Sequence, residues 1–214
     1  MTDLLERLQV PLGDSYRLER EFEGGGMSRL FLAVDSASGR RVVVKLLPPE
    51  LVSEVAAARF KREIEVTKHL VHPHILPILA AGAHDGLLFY VMPYLSGESL
   101  RDRIVNGGAL PVPEAVRLLR QVADAVAYAH SHGVVHRDIK PENILLEGGQ
   151  PVLADFGIAR ALEAAQAGAA AKGQGASNGG AAPDPSRRTL FEKLTATGVA
   201  LGTPGYIAPE QLFG

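Results

Sequence analysis

The chain has 214 residues, of which 46% are hydrophobic and 21% charged, enough to bury one or two cores and to indicate a globular protein. Its formal net charge of -2 offers no broad basic surface, so we expect neither a nucleic-acid partner nor attraction to an anionic membrane. Because cysteine is absent, disulfides, thiolate nucleophiles and Cys-ligated zinc are excluded, which fits a reducing cytoplasmic location.

The N-terminal residues carry no secretion or membrane signal. Asp3 and Glu6 lie where a signal peptide requires a basic stretch followed by a long apolar run. The longest apolar run, residues 75–83, is far shorter than the roughly 20 residues that cross a bilayer. We therefore expect an N-terminal extension over residues 1–15 and no membrane segment within this chain.

Residues 16–95 predict a small lobe rich in antiparallel strands. Short β-type runs fill residues 16–47, and a Gly-rich turn and the segment DSASGR separate them as in a meander. A helix is predicted over about 53–70, with Ser53 as its N-cap. Its apolar face consists of Phe60, Ile64, Thr67 and Leu70. Two further strands are predicted, near ILPILAAGAH and LLFYVMPYL.

Residues 96–214 predict a second, mainly helical lobe, so the fold class is α+β. One helix is expected over about 113–131, ending before Gly133. Its predicted buried stripe is Leu119, Val122, Val126 and Ala129. Residues 163–188, rich in Ala and Gly, are expected to be disordered because they lack an apolar face to offset the ordering entropy. The seam between the lobes, near 93–98, is where a ligand site is expected.

Two short segments carry the polar chemistry, VVHRDIKPENILL and PVLADFGIAR. Between them, Asp138, Lys140, Asn143 and Asp155 supply two carboxylates, an ammonium and an amide oxygen. Oxygen ligands suit Mg²⁺, and an ammonium suits a phosphoryl group in transfer. The alternative interpretation is a pair of solvated turns. It becomes weak when both segments follow a Gly-rich hairpin, which itself is either a plain turn or a backbone surface for phosphate.

Five motifs in one order resemble those of the protein kinase superfamily: the turn GGGMS, VVVK, HRDIKPEN, DFG and GTPGYIAPE. The resemblance covers residues 16–214. Lys140, two residues after Asp138, is similar to the serine/threonine branch, and GGGMS followed by HPHIL is similar to bacterial Hanks-type enzymes. It implies a two-lobe kinase fold with a small antiparallel-β N-lobe (16–95), one long helix in it, and a partial, mainly helical C-lobe (96–214).

The resemblance implies that ATP binds between the lobes. Lys45 would hold the α- and β-phosphates, with Glu63 as its helical partner. Gly25 matches the central glycine of the phosphate loop, Glu23 stands where the first is usual and Ser28 where the third is. The implied ATP-binding residues are Phe22, Gly24, Gly25, Gly26, Met27, Ser28, Leu30, Val43, Lys45, Met92, Pro93, Tyr94, Leu95 and Leu145, of which Pro93, Tyr94 and Leu95 form the hinge.

The resemblance also implies the catalytic roles. Asp138 would accept the proton of the substrate hydroxyl, Lys140 would neutralise the phosphoryl charge, and Asn143 and Asp155 would hold Mg²⁺. His136 and Phe156 are similar to buried packing partners of these loops, and Arg137 to the arginine that receives an activation-loop phosphate. Thr195 and Thr197 are similar to regulatory autophosphorylation sites. Thr203 would contact the catalytic pair in the platform that seats the substrate.

The expected activity is ATP-dependent phosphorylation of serine or threonine in protein substrates, and self-association for autophosphorylation is left open. Two other functions also stay open: a catalytically impaired pseudokinase or nucleotide-binding regulatory module, and a small-molecule kinase of the same fold. A histidine metal site is a further alternative, with His69, His72 and His74 or His130, His132 and His136 as ligands. Relatives continue with more helices after APE, so we expect the C-lobe to be incomplete at Gly214.

Overall fold

The computed structural model describes residues 2–22, 28–48, 54–156, 204–206 and 208. Several predictions therefore lie outside the described residues. They concern the turn at 23–27 with Glu23, Gly24, Gly25, Gly26 and Met27, the N-cap Ser53, the segment 163–188, and Thr195, Thr197 and Thr203.

Five antiparallel strands form the N-lobe sheet in the order β1-β2-β3-β5-β4. The strands are β1 (Tyr16–Glu21), β2 (Arg29–Asp35), β3 (Arg41–Leu46), β4 (Ala80–His84) and β5 (Leu87–Pro93). Alternating apolar residues give the sheet two buried faces, since successive side chains of a strand point to opposite sides. This confirms the predicted meander followed by two further strands.

Helix α2 (Glu54–Thr67) covers one face of the sheet. Phe60 and Ile64 are buried in a cluster with Val43, Leu88 and other residues of the central strands. The helix ends at Thr67, three residues before the predicted end at Leu70. Leu70 packs instead in the core of the C-lobe. The predicted helix is thus confirmed with Phe60 and Ile64 on its buried face, whereas Leu70 lies beyond the end of α2.

Helix α1 (Thr2–Leu12) covers the opposite face, where the sequence had predicted only an extension. Leu8 and Leu12 are buried against Phe31, Val44 and Val91. The Gln9 amide fastens the helix to β1, because its Nε2 donates to the Tyr16 carbonyl (2.8 Å) and its Oε1 accepts from the Leu18 N–H (3.1 Å). The small lobe is therefore a sheet between two helices.

The C-lobe contains β6 (Glu98–Ser99), α3 (Leu100–Gly107), α4 (Val112–Ser131), β7 (Ile144–Glu147) and β8 (Gln150–Leu153). Short 3-10 turns span Pro141–Asn143 and Pro204–Tyr206. Strands β6, β7 and β8 form an antiparallel sheet of three strands. Within the described residues, no helix is long and apolar enough to cross a membrane.

The buried stripe of α4 differs from the predicted one. Leu118, Val122, Ala125 and Ala129 are buried, whereas Leu119 is 61% exposed and Val126 is partly buried. Val122 and Ala129 were predicted correctly. The predicted stripe was wrong because it started at Leu119, whereas the buried face follows the 3.6-residue period from Leu118. Leucines at adjacent positions differ by about 100° around the axis, so only one of them can face the core.

A short extended segment joins the lobes beneath the N-lobe sheet. Ile75 forms a parallel bridge with Leu153. The Leu153 N–H donates to the His74 carbonyl and the Leu76 N–H donates to the Leu153 carbonyl, both at 2.9 Å. This bridge fixes the end of β8, and so positions the residues that follow it, Ala154 to Phe156, under the small lobe.

Candidate active site

An apolar cluster lies between the two lobes, at the place predicted for the adenine slot. Val43 and Met92 are buried in it, and the partly buried side chains of Phe22, Leu30, Tyr94, Leu95 and Leu145 pack against the same cluster. The Phe22 and Tyr94 rings are stacked at one side, with centroids 6.3 Å apart and planes 12° from parallel. The structure thus brings together the apolar residues predicted for the adenine slot, and adds Val152 and Ala154 to them.

The Gly-rich hairpin is closed at its base. Glu21 and Arg29 form a two-pronged ion pair, with Arg29 Nε and Nη2 each 2.6 Å from a carboxylate oxygen. The hydrogen bonds from Arg29 lower the pKa of the Glu21 carboxyl. The Phe22 N–H also donates to the Leu30 carbonyl at 2.9 Å. These contacts align β1 and β2 on either side of the turn, and Ser28 lies half-buried at its end.

Lys45 and Asp155 meet directly at the inner end of the slot. Lys45 Nζ lies 2.6 Å from Asp155 Oδ2, and the Tyr90 hydroxyl donates to Asp155 Oδ1 at 2.7 Å. Burial acts to raise the pKa of the Asp155 carboxyl, but the charge of Lys45 and the hydrogen bonds from Lys45 and Tyr90 outweigh it and lower this pKa. Asp155 is therefore held as a carboxylate.

Glu63 does not join this group. The side chain is half-buried on α2, and within the part of the chain that the structure describes it forms no ion pair with Lys45. The expected Lys45–Glu63 pair is thus absent from this conformation. The physical reason is that Asp155 supplies the carboxylate that neutralises the Lys45 ammonium.

Asp138, Lys140 and Asn143 form a second polar group. Lys140 Nζ lies 3.0 Å from Asp138 Oδ2. Asn143 Nδ2 donates to the Asp138 carbonyl at 2.8 Å and to Asp138 Oδ2 at 3.0 Å. The 3-10 turn Pro141–Asn143 brings the asparagine back to the aspartate, so a five-residue separation in sequence becomes direct contact.

His136 and Phe156 support the two loops from within, as predicted. The His136 ring is buried, its Nε2 lies 3.0 Å from the Ala154 carbonyl, and its Nδ1 accepts from the Asp138 N–H at 3.2 Å. The carbonyl can only accept and the N–H can only donate, so the network assigns the neutral tautomer with a proton on Nε2. The Phe156 ring packs 4.6 Å from this imidazole, between centroids.

Two non-glycine residues of the site occupy the left-handed region. Arg137 has φ 65° and Asp155 has φ 60°. Such a backbone costs free energy and persists only where surrounding contacts enforce it, which is most frequent at functional sites. At Asp155 these contacts are the two hydrogen bonds to its carboxylate.

The donor set fits Mg²⁺. The two donor bonds of the Asn143 amide go to Asp138, which orients the amide oxygen away from that residue. The Ala154 N–H donates to the Asn143 carbonyl at 2.8 Å and so ties the asparagine segment to the one that carries Asp155. One amide oxygen and one carboxylate, completed by phosphate oxygens, suit a magnesium ion held jointly by protein and nucleotide.

The histidines are engaged in other contacts. His72 Nε2 lies 3.2 Å from Asp124, His74 Nδ1 lies 2.8 Å from the Pro151 carbonyl, and His132 Nδ1 lies 2.8 Å from the Tyr128 carbonyl. Among the described residues, no three His, Cys, Asp or Glu side chains are grouped so that they could hold a metal ion. The His72 contact joins α4 to the segment before β4, and the His74 contact joins that segment to β8.

Sequence reasoning missed Tyr90. The sequence predicted only that Tyr90 lies in a strand, and its 4% exposure is that of a core residue. The missing signal was register: Tyr90 is the cross-strand partner of Lys45, so both side chains leave the sheet on the same face. Only the pairing of β3 with β5 reveals this.

The fold and the site define a class of protein: the chain belongs to the protein kinase family. The protein kinase domain family matches residues 16–214, which include every site residue described above. The two-lobe fold predicted from the motifs is thereby confirmed.

Among its relatives are bacterial serine/threonine kinases. The chain is 37% identical over 216 residues to the serine/threonine-protein kinase PknD of Mycobacterium tuberculosis, and the match covers 100% of the chain and 28% of PknD. The crystal structure of the M. tuberculosis PknI kinase domain aligns with a TM-score of 0.62 and 34% identity, covering 67% of this chain and 60% of that one. Rad53 in complex with AMP-PNP aligns with a TM-score of 0.60 and 28% identity, covering 67% and 38%. The chain thus spans about a quarter of the length of the relative PknD.

Proposed function

We propose that this chain transfers the γ-phosphoryl group of ATP to serine or threonine hydroxyls of protein substrates. The observation that carries the proposal is the arrangement of five polar side chains at the inner end of an apolar slot. They form two bonded groups, Lys45 with Asp155, and Asp138 with Lys140 and Asn143. The backbone hydrogen bond from the Ala154 N–H to the Asn143 carbonyl joins the two groups.

Adenine would occupy the slot. Its two faces would contact Leu30 and Val43 from above and Leu145 from below, and Met92 would close the back. The hinge offers the Pro93 carbonyl as an acceptor, a role for which proline needs no N–H. The Tyr94 N–H already donates to the Arg41 carbonyl at 3.2 Å, so this donor holds the hinge to β3. Burying the flat apolar base between these side chains supplies the binding free energy.

The polar groups would act on the triphosphate. Lys45 would hold the α- and β-phosphates, and Glu63 would pair with Lys45 when the nucleotide phosphates engage Asp155 through a cation. Asn143 and Asp155 would hold Mg²⁺, which neutralises charge on the β- and γ-phosphates. The turn with Gly24, Gly25, Gly26, Met27 and Ser28 would cover the phosphates with backbone N–H groups.

Asp138 would orient the substrate hydroxyl and accept its proton as the oxygen attacks the γ-phosphorus in line with the departing ADP. Lys140, 3.0 Å from the same carboxylate, would move its charge toward the transferring phosphoryl group. Thr203 would contact this pair from the substrate platform. The contact between Asp138 and Lys140 keeps base and cation together, and such positioning is a main requirement of phosphoryl transfer.

The proposal is tested with the variant Asp138→Asn, assayed by transfer of labelled phosphate to casein and by nucleotide binding. Turnover should fall by at least about 10²-fold, the usual contribution of a positioned base, whereas ATP binding should persist. Asp14→Asn, in the exposed turn between α1 and β1, is the matched control and should keep full activity.

Unchanged turnover of Asp138→Asn would remove this residue from the mechanism. ATP binding by the unaltered chain with no transfer to any hydroxyl would instead favour a nucleotide-binding regulatory module.

We extend the proposal to regulation and to partners. Phosphate on Thr195 or Thr197 adds about -1.5 to -2 charge, which Arg137 would receive through charge-assisted hydrogen bonds. Self-association of two chains would let one phosphorylate the other. Mass spectrometry of the active chain should find phosphate on these threonines, and cell fractionation should find the chain in the cytoplasm, where ATP is abundant.

A further inference from the structure

We propose that Tyr90 is a positioning residue for Asp155, and that Tyr90 and Lys45 together form a two-pronged clamp that orients this carboxylate for Mg²⁺. The inference rests on the proposed function, since it concerns how the nucleotide-associated cation is held. It assigns a role in the site to a strand residue that no motif of the sequence marks.

The clamp follows from the register of the central strands. Lys45 on β3 and Tyr90 on β5 are direct cross-strand partners, so their side chains emerge side by side on the same face of the sheet. Both side chains contact Asp155 from adjacent positions in the sheet. Lys45 Nζ contacts Oδ2 at 2.6 Å, and the Tyr90 hydroxyl contacts Oδ1 at 2.7 Å.

The two prongs differ in stiffness. The Lys45 ammonium sits on four methylenes and can follow a moving partner. Tyr90 has two side-chain torsions, is 4% exposed, and is packed among Leu88, Met92 and α2. The hydroxyl is therefore a fixed point, and it determines the rotation of the Asp155 carboxylate about its last torsion.

The chemistry of the contact makes it a strong one. The Tyr90 O–H donates to Asp155 Oδ1 at 2.7 Å, and an ionised carboxylate can only accept, so the contact is a charge-assisted bond of the strong class. A buried phenol requires such a partner, and Asp155 is the acceptor that the structure provides.

The clamp is compatible with a bound cation. Each carboxylate oxygen has two lone pairs, so Oδ1 can accept from Tyr90 and still ligate a metal with the other. Bonds of this kind to a ligating carboxylate fix its direction and raise metal affinity, and their loss typically costs 10- to 100-fold in affinity. A tyrosine at this strand position therefore tunes the magnesium requirement of the enzyme.

The test is the variant Tyr90→Phe in the full chain, with binding of a non-hydrolysable ATP analogue measured by calorimetry across a Mg²⁺ titration. The Mg²⁺ concentration for half-maximal binding should rise about tenfold. Binding of the analogue in EDTA, which depends on the apolar slot, should not change. Tyr16→Phe, whose ring packs on the opposite face of the sheet, is the matched control and should titrate like the unaltered chain.

A second measurement separates positioning from a purely structural role. In an Asp155→Asn background, Tyr90→Phe should cause no further change in the Mg²⁺ titration, because its effect passes through the carboxylate. If Tyr90→Phe raises the Mg²⁺ concentration for half-maximal binding equally in the unaltered chain and in Asp155→Asn, the clamp is overturned. A Mg²⁺ titration of Tyr90→Phe that matches the unaltered chain would also overturn it. If the unaltered chain binds no Mg²⁺-nucleotide at all, the proposed function fails and the clamp with it. If Tyr90→Phe is unfolded by circular dichroism, the titration is repeated with Tyr90→Met, which fills the buried site with a flexible apolar side chain that has no donor.

Discussion

At the residue scale, His136 links the two loops of the candidate active site only while its ring is neutral. Nε2 donates to the Ala154 carbonyl, and Nδ1 accepts from the Asp138 N–H. A second proton would place N–H against N–H at Nδ1 and would charge a side chain that is 1% exposed. Burial accordingly lowers the pKa of His136 below its ordinary value of 6.5.

This lowered pKa predicts that the folded protein loses stability in mild acid. When the folded pKa lies below the unfolded one, the unfolded chain binds the proton more readily, so stability is complete above about pH 6.5 and falls as the pH drops toward the folded pKa. Thermal unfolding between pH 7.5 and 5 should therefore show a falling midpoint. The variant His136→Asn, compared with itself across the same range, should show a smaller fall, and an equal fall in both proteins would place the acid sensitivity elsewhere.

The site residues differ in how far the sequence could reveal them. Asp138, Lys140 and Asn143 lie within six residues of one another, and their contacts follow from one tight turn, so a local motif was sufficient. Asp155 meets Lys45 across 110 positions. The family resemblance assigned both residues to the ATP site, but it gave Glu63, and not Asp155, as the partner of Lys45. Tyr90 has no local signal at all, because its role depends on strand register.

At the element scale, helix α1 is a structural part of the small lobe. The sequence predicted only an extension over residues 1–15, since Asp3 and Glu6 do not fit a secretion signal. The apolar residues Leu4, Leu5, Leu8 and Leu12 have helical spacing, which was the available evidence. The face of the sheet that they cover contains Phe31, Val44 and Val91, all of them fully buried.

The variant Leu8→Ala should therefore destabilise the chain strongly. A fully buried leucine replaced by alanine in a core costs about 2 to 5 kcal/mol, which for a domain of this size lowers the unfolding midpoint by roughly 4 to 20 °C. Differential scanning calorimetry would measure the change. Val10→Ala, on the exposed side of the same helix, is the control and should shift the midpoint by less than about 2 °C. A small shift in both variants would show that α1 docks weakly.

The buried face of α4, which differs from the predicted one, shows a second limit of sequence patterns at this scale. Leu118 and Leu119 are both apolar, and a period of 3.6 residues accepts either as the start of a stripe. Packing against β8 and Phe156 determines which leucine is buried, and these residues lie more than 30 positions away in the sequence. Periodicity predicted the helix and two of its buried positions, and tertiary contacts selected the face.

At the scale of the whole molecule, the side of α4 that faces solvent carries several apolar residues. Val112, Val116 and Leu119 are exposed and spaced four and three residues apart, so they lie along one side of the helix. Exposed apolar side chains that form a continuous stripe favour association, because each one removed from water contributes roughly 1.5 to 3 kcal/mol. The behaviour of the chain in solution should depend on this stripe.

We predict that the 214-residue chain associates as its concentration rises, and that Leu119→Lys reduces this association without lowering the unfolding midpoint. The lysine places a charge at one end of the stripe, and position 119 makes little contribution to the core. Sedimentation velocity over a hundredfold range of concentration would measure the effect. Val105→Lys, an exposed valine on α3, is the matched control and should leave association as it is. A chain that stays monomeric throughout, or that associates equally in all three proteins, would show that the α4 stripe does not drive assembly and that contacts elsewhere set the solution state.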